Sequence, residues 1–118
     1  MRCEEYKNIF FYIGSNANEN WKLFDKSKLI NDNYIWFHLN SFSSPYVIMY
    51  KTIDELNNTY NKSEIDDIYQ FAANLCKQNS KYKFLNNLKI VYSQLKKLSK
   101  GEKIGEVIIK GKRNIISL

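Results

Sequence analysis

The chain is short of nearly everything that staples, breaks or activates a protein: its 118 residues include two cysteines, one proline, one histidine and four glycines. Cys3 and Cys76 lie far apart, and neither has a second Cys or a His at metal-ligand spacing. That excludes a disulfide framework and a zinc site, and it suits a reducing compartment. With Pro45 the only proline and no Gly/Ser tract, nothing marks a linker, and one domain over residues 1–118 is expected. Long apolar runs are also missing. Ile9 to Ile13, preceded by Arg2, Glu4 and Glu5, is too brief for a signal sequence or a membrane span, so the expectation is a cytoplasmic protein with no membrane partner.

Catalytic groups are equally scarce. His38 stands alone, and no flanking motif supports pairing it with Cys3 or Cys76. Asp66 and Asp67 fall at the start of a helical pattern, where carboxylates complement the helix dipole. Gly101 to Gly105 lacks the Gly-Lys-Ser/Thr element of a phosphate-binding loop. The expectation is a binding module and not an enzyme, with no metal, no cofactor and no small-molecule substrate.

What is present is core material and segregated charge. Hydrophobic residues make up 44% and aromatics 15% of the chain, enough to build a packed core where a disordered chain would fall short. The net charge is +6, but Met1 to Cys76 holds seven basic and ten acidic residues, whereas Lys77 to Leu118 holds eleven basic and two acidic ones, Glu102 and Glu106. An AT-rich coding bias would raise Lys and Asn throughout; it would not sort the charge to one end. Clustered Lys and Arg are the electrostatic footprint of polyanion binders. Lys96, Lys97, Lys100 and Lys103 form one group and Lys110, Lys112 and Arg113 the next, placed so that two neighbouring loops present one basic surface for phosphates. The alternative, a solvated Lys-rich face, stays open at this point.

Ile9 to Ile13 reads as a strand with Trp21 to Phe24 as its hairpin partner, followed by a short helical turn over Asp25 to Ile30. Tyr34 to Leu39 reads as a strand with Ile35, Phe37 and Leu39 on one face and Tyr34, Trp36 and His38 on the other, paired with Tyr46 to Tyr50. A helix from about Ser63 to Asn79 is expected, capped by Ser63 and Asp66, with Ile65, Ile68, Ala72 and Leu75 facing inward and Cys76 as a small core residue at the edge of that face. Leu88 to Tyr92, Glu106 to Ile109 and Asn114 to Ser117 read as further strands. The order predicts an α+β domain, a mostly antiparallel sheet with one long covering helix. Trp36 and His38 could then offer planar faces to a base, although aromatics on strands usually belong to the core.

The motifs in order resemble the NFACT-R domain family. Gly14-Ser15-Asn16 with Asn20 is similar to the stretch that opens the domain, and Ile35-Trp36-Phe37-His38 to its central motif. Val91-Tyr92-Ser93, Lys96-Lys97 and Gly101 to Val107 follow the family's later motifs, and the resemblance covers nearly the whole chain. Ala73 to Ser80, with Asn86-Asn87 and Val91-Tyr92, resembles most the stand-alone eukaryotic branch known as coiled-coil domain-containing protein 25. The charged helical extension of that branch is expected to be missing beyond Leu118, so contacts made by it are not carried over. Ser43-Ser44-Pro45-Tyr46-Val47 stands where the family has Pro-Gly-Ser-His-Val, which removes a second histidine, and Tyr34 replaces an acidic residue.

The resemblance implies RNA binding at the ribosome, with ribosomal RNA and proteins or tRNA as partners, and an occluding or dormancy factor as the sharper form. The expected RNA-binding residues are Asn16, Asn20, Trp36, His38, Lys96, Lys97, Lys100, Lys103, Lys110, Lys112 and Arg113. A protein-interaction adaptor and a DNA-binding module are the alternatives that the same charge allows.

Overall fold

Alternation of side chains along a strand dictates the central architecture. Ile35, Phe37 and Leu39 point to one side of their strand, Trp36 and His38 to the other, and four of the five are almost fully buried. Such a strand needs apolar cover on both faces, and a computed structural model, which describes residues 2–118, shows how it is obtained.

Among the described residues eight strands and three helices follow in the order β1 (Arg2–Tyr6), β2 (Ile9–Ile13), α1 (Ala17–Ile30), β3 (Ile35–Leu39), β4 (Val47–Met49), α2 (Ile53–Thr59), α3 (Lys62–Gln78), β5 (Lys89–Gln94), β6 (Leu98–Lys100), β7 (Val107–Ile109) and β8 (Asn114–Ser117). A single 3-10 turn, Leu95–Lys97, joins β5 to β6. Six strands form one antiparallel sheet in the order β1-β2-β4-β3-β5-β8, and β6 and β7 form a separate two-stranded ribbon. On one face α2 and α3 cover Phe11, Phe37, Val47, Met49 and Ile90 through Leu56, Ile68, Ala72 and Cys76. On the other, α1 and the ribbon cover Trp36, Ile48 and Val91 through Leu23, Phe24 and Leu98.

The α+β class, the antiparallel sheet and the long helix are as expected. Cys76 is fully buried among apolar groups, and that burial pushes its thiol far above the ordinary thiol range. Three local expectations are corrected. Trp21 to Phe24 is not a hairpin partner, and Asp25 to Ile30 is not a separate turn; both belong to the fourteen-residue α1. Its N-cap is Asn16, whose side chain accepts a hydrogen bond from Glu19 N at 2.9 Å. The Glu19 carboxylate returns to Ser15, accepting from its backbone N at 2.9 Å and its hydroxyl at 2.8 Å. Those bonds hold the Glu19 carboxyl below the usual carboxylate range. Asn20, Leu23, Phe24 and Ser27 are the buried stripe, at helical spacing.

The true hairpin partner of β2 is β1, joined through Lys7 and Asn8, which both take positive φ (50° and 64°), as a two-residue turn of matching twist requires. Finally, α3 starts one residue earlier than expected and its cap lies two residues earlier. Asn61 and Glu64, rather than Ser63 and Asp66, form its reciprocal capping box, at 2.8 and 3.0 Å.

Candidate nucleic-acid interface

A cleft of about 800 Å³ opens beside the Trp36 and His38 side of the sheet. Its walls are the N-terminus of α1, the 40–46 loop, the end of α3 with the turn after it, and the 103–107 segment. Each wall is held by specific bonds. Asn20, only 5% exposed, accepts from Tyr46 N at 3.1 Å and packs directly on the Gly14 backbone, where a Cβ would sit 2.1 Å from its Oδ1. The Gly14 and Asn20 pairing noticed in the sequence is therefore a packing device that fixes the 40–46 loop to α1. On the opposite wall, the buried Tyr46 hydroxyl donates to Gly105 O and Trp21 Nε1 donates to Glu106 O at 3.1 Å. Burial raises the Tyr46 hydroxyl well above its ordinary pKa of 10, so it remains a donor at every physiological pH.

His38 lies in the cleft and its ring stacks on Trp36, with centroids 5.5 Å apart and planes 6° from parallel. Because a carbonyl can only accept, His38 Nδ1 donates to Leu39 O at 2.7 Å and the ring is fixed in one tautomer. Burial lowers the imidazole pKa from its usual 6.5, against the opposing pull of the Leu39 and Ser44 carbonyls, so the ring is neutral at pH 7. Trp36 itself is 2% exposed, its Nε1 has no hydrogen-bond partner, and its indole is sandwiched into the core. The expectation that Trp36 offers a face to a base is corrected: its indole belongs to the core, and His38 is the partly exposed ring of the stacked pair.

The basic residues divide. Lys103 and Arg113 line the cleft together with Asn16, Asn20, Trp36 and His38. Arg113 donates to Asn40 Oδ1 at 3.3 Å, which turns it toward the 40–46 loop. Lys96 and Lys97 sit on the exposed 3-10 turn, and Lys110 N bonds Lys97 O at 2.8 Å, so Lys97 and Lys110 stand side by side at one end of the ribbon, with Lys112 beyond them. Lys100, at the ribbon's other end, is engaged: its ammonium pairs with Asp25 at 2.7 Å and lies 4.8 Å from the centroid of the Trp21 ring. Instead of the two neighbouring loops expected, the structure has one β-hairpin whose two ends carry the cations.

Among the described residues none of the other six pairs with a carboxylate. Lys81, overlooked in the sequence, adds a third cation to the cleft. Its signal was the alternation Lys81-Tyr82-Lys83-Phe84, basic and aromatic in turn. The cleft has one carboxylate, Glu106, and its Oε1 is held by Glu102 N at 3.0 Å within its own loop. The result is a concave, net positive site with an imidazole in its lining, whose charge complements a phosphate chain.

Among the described residues no helix is long and apolar enough to cross a membrane. No group of His, Cys, Asp and Glu among the described residues could hold a metal ion.

Among solved structures, the fold is similar to that of the C-terminal part of the fibronectin/fibrinogen-binding protein from Streptococcus suis, with a TM-score of 0.74 at 23% identity over 93% of this chain. The chain spans 40% of the length of that structure. No curated protein sequence matches the chain. The family model of the NFACT protein RNA binding domain matches residues 2–117, and the chain belongs to that family of RNA-binding domains.

Proposed function

We propose that this domain binds RNA in a ribosomal or tRNA-adjacent setting, with the phosphate chain running from the cleft of Lys81, Lys103 and Arg113 to the ribbon end of Lys96, Lys97 and Lys110. The observation that carries this reading is the convergence of three cations, none paired with a carboxylate among the described residues, on a concave site whose one carboxylate is tied back into its own loop. In this reading the domain is a binding module and not a catalyst, it is of the coiled-coil domain-containing protein 25 branch, and its role is an occluding one on idle ribosomes. Asn16 and Asn20 shape the site, and Lys100 contributes less than its neighbours because Asp25 already neutralises it.

Phosphate contacts displace counterions, so binding should be strongly salt-dependent. The test is co-sedimentation with purified ribosomes, and filter binding to tRNA and ribosomal RNA fragments, for the wild type, Lys96→Glu/Lys97→Glu and Lys103→Glu/Arg113→Glu. Loss of binding in both variants is expected. Undiminished binding in both would refute this surface, and a ribosomal partner that persists after nuclease digestion would favour the protein-adaptor alternative.

A further inference from the structure

One exposed surface is unused by the cleft as described. The turn between α3 and β5 carries Lys81, Tyr82, Lys83, Phe84 and Leu85, and its apolar side chains are not tucked in: Phe84 is 87% exposed and Leu85 47%. Phe42, 41% exposed on the neighbouring 40–46 loop, meets Tyr82 with ring centroids 4.6 Å apart. A single exposed apolar residue needs no explanation, but three gathered in one place do. Each ring of the turn also has an ammonium beside it, Lys81 at 5.5 Å from the Tyr82 centroid and Lys83 at 5.3 Å from that of Phe84. Neither lysine pairs with a carboxylate among the described residues.

The turn is also held in shape. Ser80 Oγ donates to Lys77 O at 2.8 Å and accepts from Tyr82 N at 3.2 Å, Leu85 N bonds Tyr82 O at 2.9 Å, and Tyr82 packs on the core. Phe84 is thus projected from an ordered turn. Phe42 and Lys81 line the cleft, so the two surfaces are continuous.

Resting on the RNA-binding reading above, we infer that this turn and Phe42 form a stacking platform for unpaired nucleotides, so that the domain selects single-stranded RNA over duplex. A base offers its face only when it is out of a helix; a duplex hides that face and leaves the lysines only phosphates to meet. An apolar protein partner would also cover exposed rings, but the two lysines set among them complement a polyanion.

The experiment is fluorescence anisotropy with a labelled single strand and with a fully paired duplex closed by a short linker, at one salt concentration. Phe84→Ala is expected to weaken single-strand binding by roughly tenfold while leaving the duplex within about twofold, and Phe84→Trp to restore it. Phe84 is exposed, so neither substitution threatens the fold. Equal affinity of the wild type for both RNAs, or a Phe84→Ala variant that binds the single strand as well as the wild type, overturns the inference; in the second case the surface is left to a protein partner. Lys103→Glu/Arg113→Glu tests the underlying reading separately: it should weaken both RNAs, whereas a wild type that binds neither overturns both proposals.

Discussion

Asn20→Ala separates a packing role from an RNA-contact role. The Tyr46 backbone N–H is buried with its residue at 0% exposure and has the Asn20 amide oxygen as its partner at 3.1 Å. Removing that acceptor leaves a buried donor unsatisfied, which costs about 1–3 kcal/mol. The lost contact with the Gly14 backbone adds to this, while the second bond, Asn20 Nδ2 to Ser44 O at 3.5 Å, is too long to matter much. For a domain of this size a kcal/mol shifts the melting temperature by about 4 °C, so a fall of roughly 4–12 °C is expected by circular dichroism. Asn16→Ala, which removes an exposed N-cap, should cost about 1 kcal/mol and melt above Asn20→Ala. Measured well below either transition, RNA affinity should change little in both, because Asn20 is buried against Gly14 and Tyr46 and the Asn16 side-chain oxygen is taken by Glu19 N. An Asn20→Ala protein with an unchanged melting temperature and a large loss of RNA affinity would refute the packing account and restore Asn20 as a direct contact.

Four further outcomes are expected. If about six phosphates are neutralised, RNA affinity should fall by two to three decades between roughly 50 and 200 mM salt, and each cation removed from the cleft should reduce the slope of log affinity against log salt by about one; a slope near zero refutes the phosphate-chain reading. Lys100→Ala should weaken RNA binding less than Lys97→Ala, since the Asp25 pair already absorbs its charge; equal losses in filter binding contradict this. Gly105→Ala should be more destabilising than Gly111→Ala in chemical denaturation. Both have positive φ, 91° and 88°, which costs any L side chain about 1–2 kcal/mol, but at Gly105 the new Cβ would also sit 2.8 Å from Ala17 Cβ while at Gly111 it meets nothing; the reverse order would show that the 101–106 loop is not packed as described. His38, with a folded-state pKa below 6.5, binds protons less readily folded than unfolded, so its contribution to stability is fully present above pH 6.5 and is lost as the pH falls through its lowered pKa; His38→Gln should flatten that part of the profile of melting temperature against pH.

The sequence was most legible where periodicity and burial agree. Ile35 to Leu39 alternates cleanly because both faces of β3 are covered, and α3 has an apolar stripe long enough to override its polar composition. It was least legible where local propensity competes with tertiary contact. Trp21 to Phe24 is aromatic enough to read as a strand, yet the Asn16 and Glu19 bonds start a helix just before it, and packing on Trp36 and Ile48 keeps it one. β1 and β6 alternate too weakly to be seen, since β1 is an edge strand with one half-exposed face and β6 is a three-residue arm of the ribbon. For the site, Lys103 and Arg113 were readable from charge alone. That Lys81 joins them from across the cleft, and that Asn20 and Trp36 serve the core, depends on contacts between residues tens of positions apart.

The strand order has a mechanical consequence. Arg2 begins one outermost strand and Ser117 ends the other, so the ends of the described chain leave from opposite rims of a six-stranded sheet, about 24 Å apart at ordinary strand spacing. Tension between them acts across the strands, along the ladder bonds, and loads those bonds one pair at a time, from Arg2 opposite Ile13 at one rim and from Ser117 opposite Lys89 at the other. Such a sheet unzips and does not shear. A motor drawing the chain through a narrow pore from either end would meet an edge strand first and peel the domain open under low force, strand by strand toward β3 and β4.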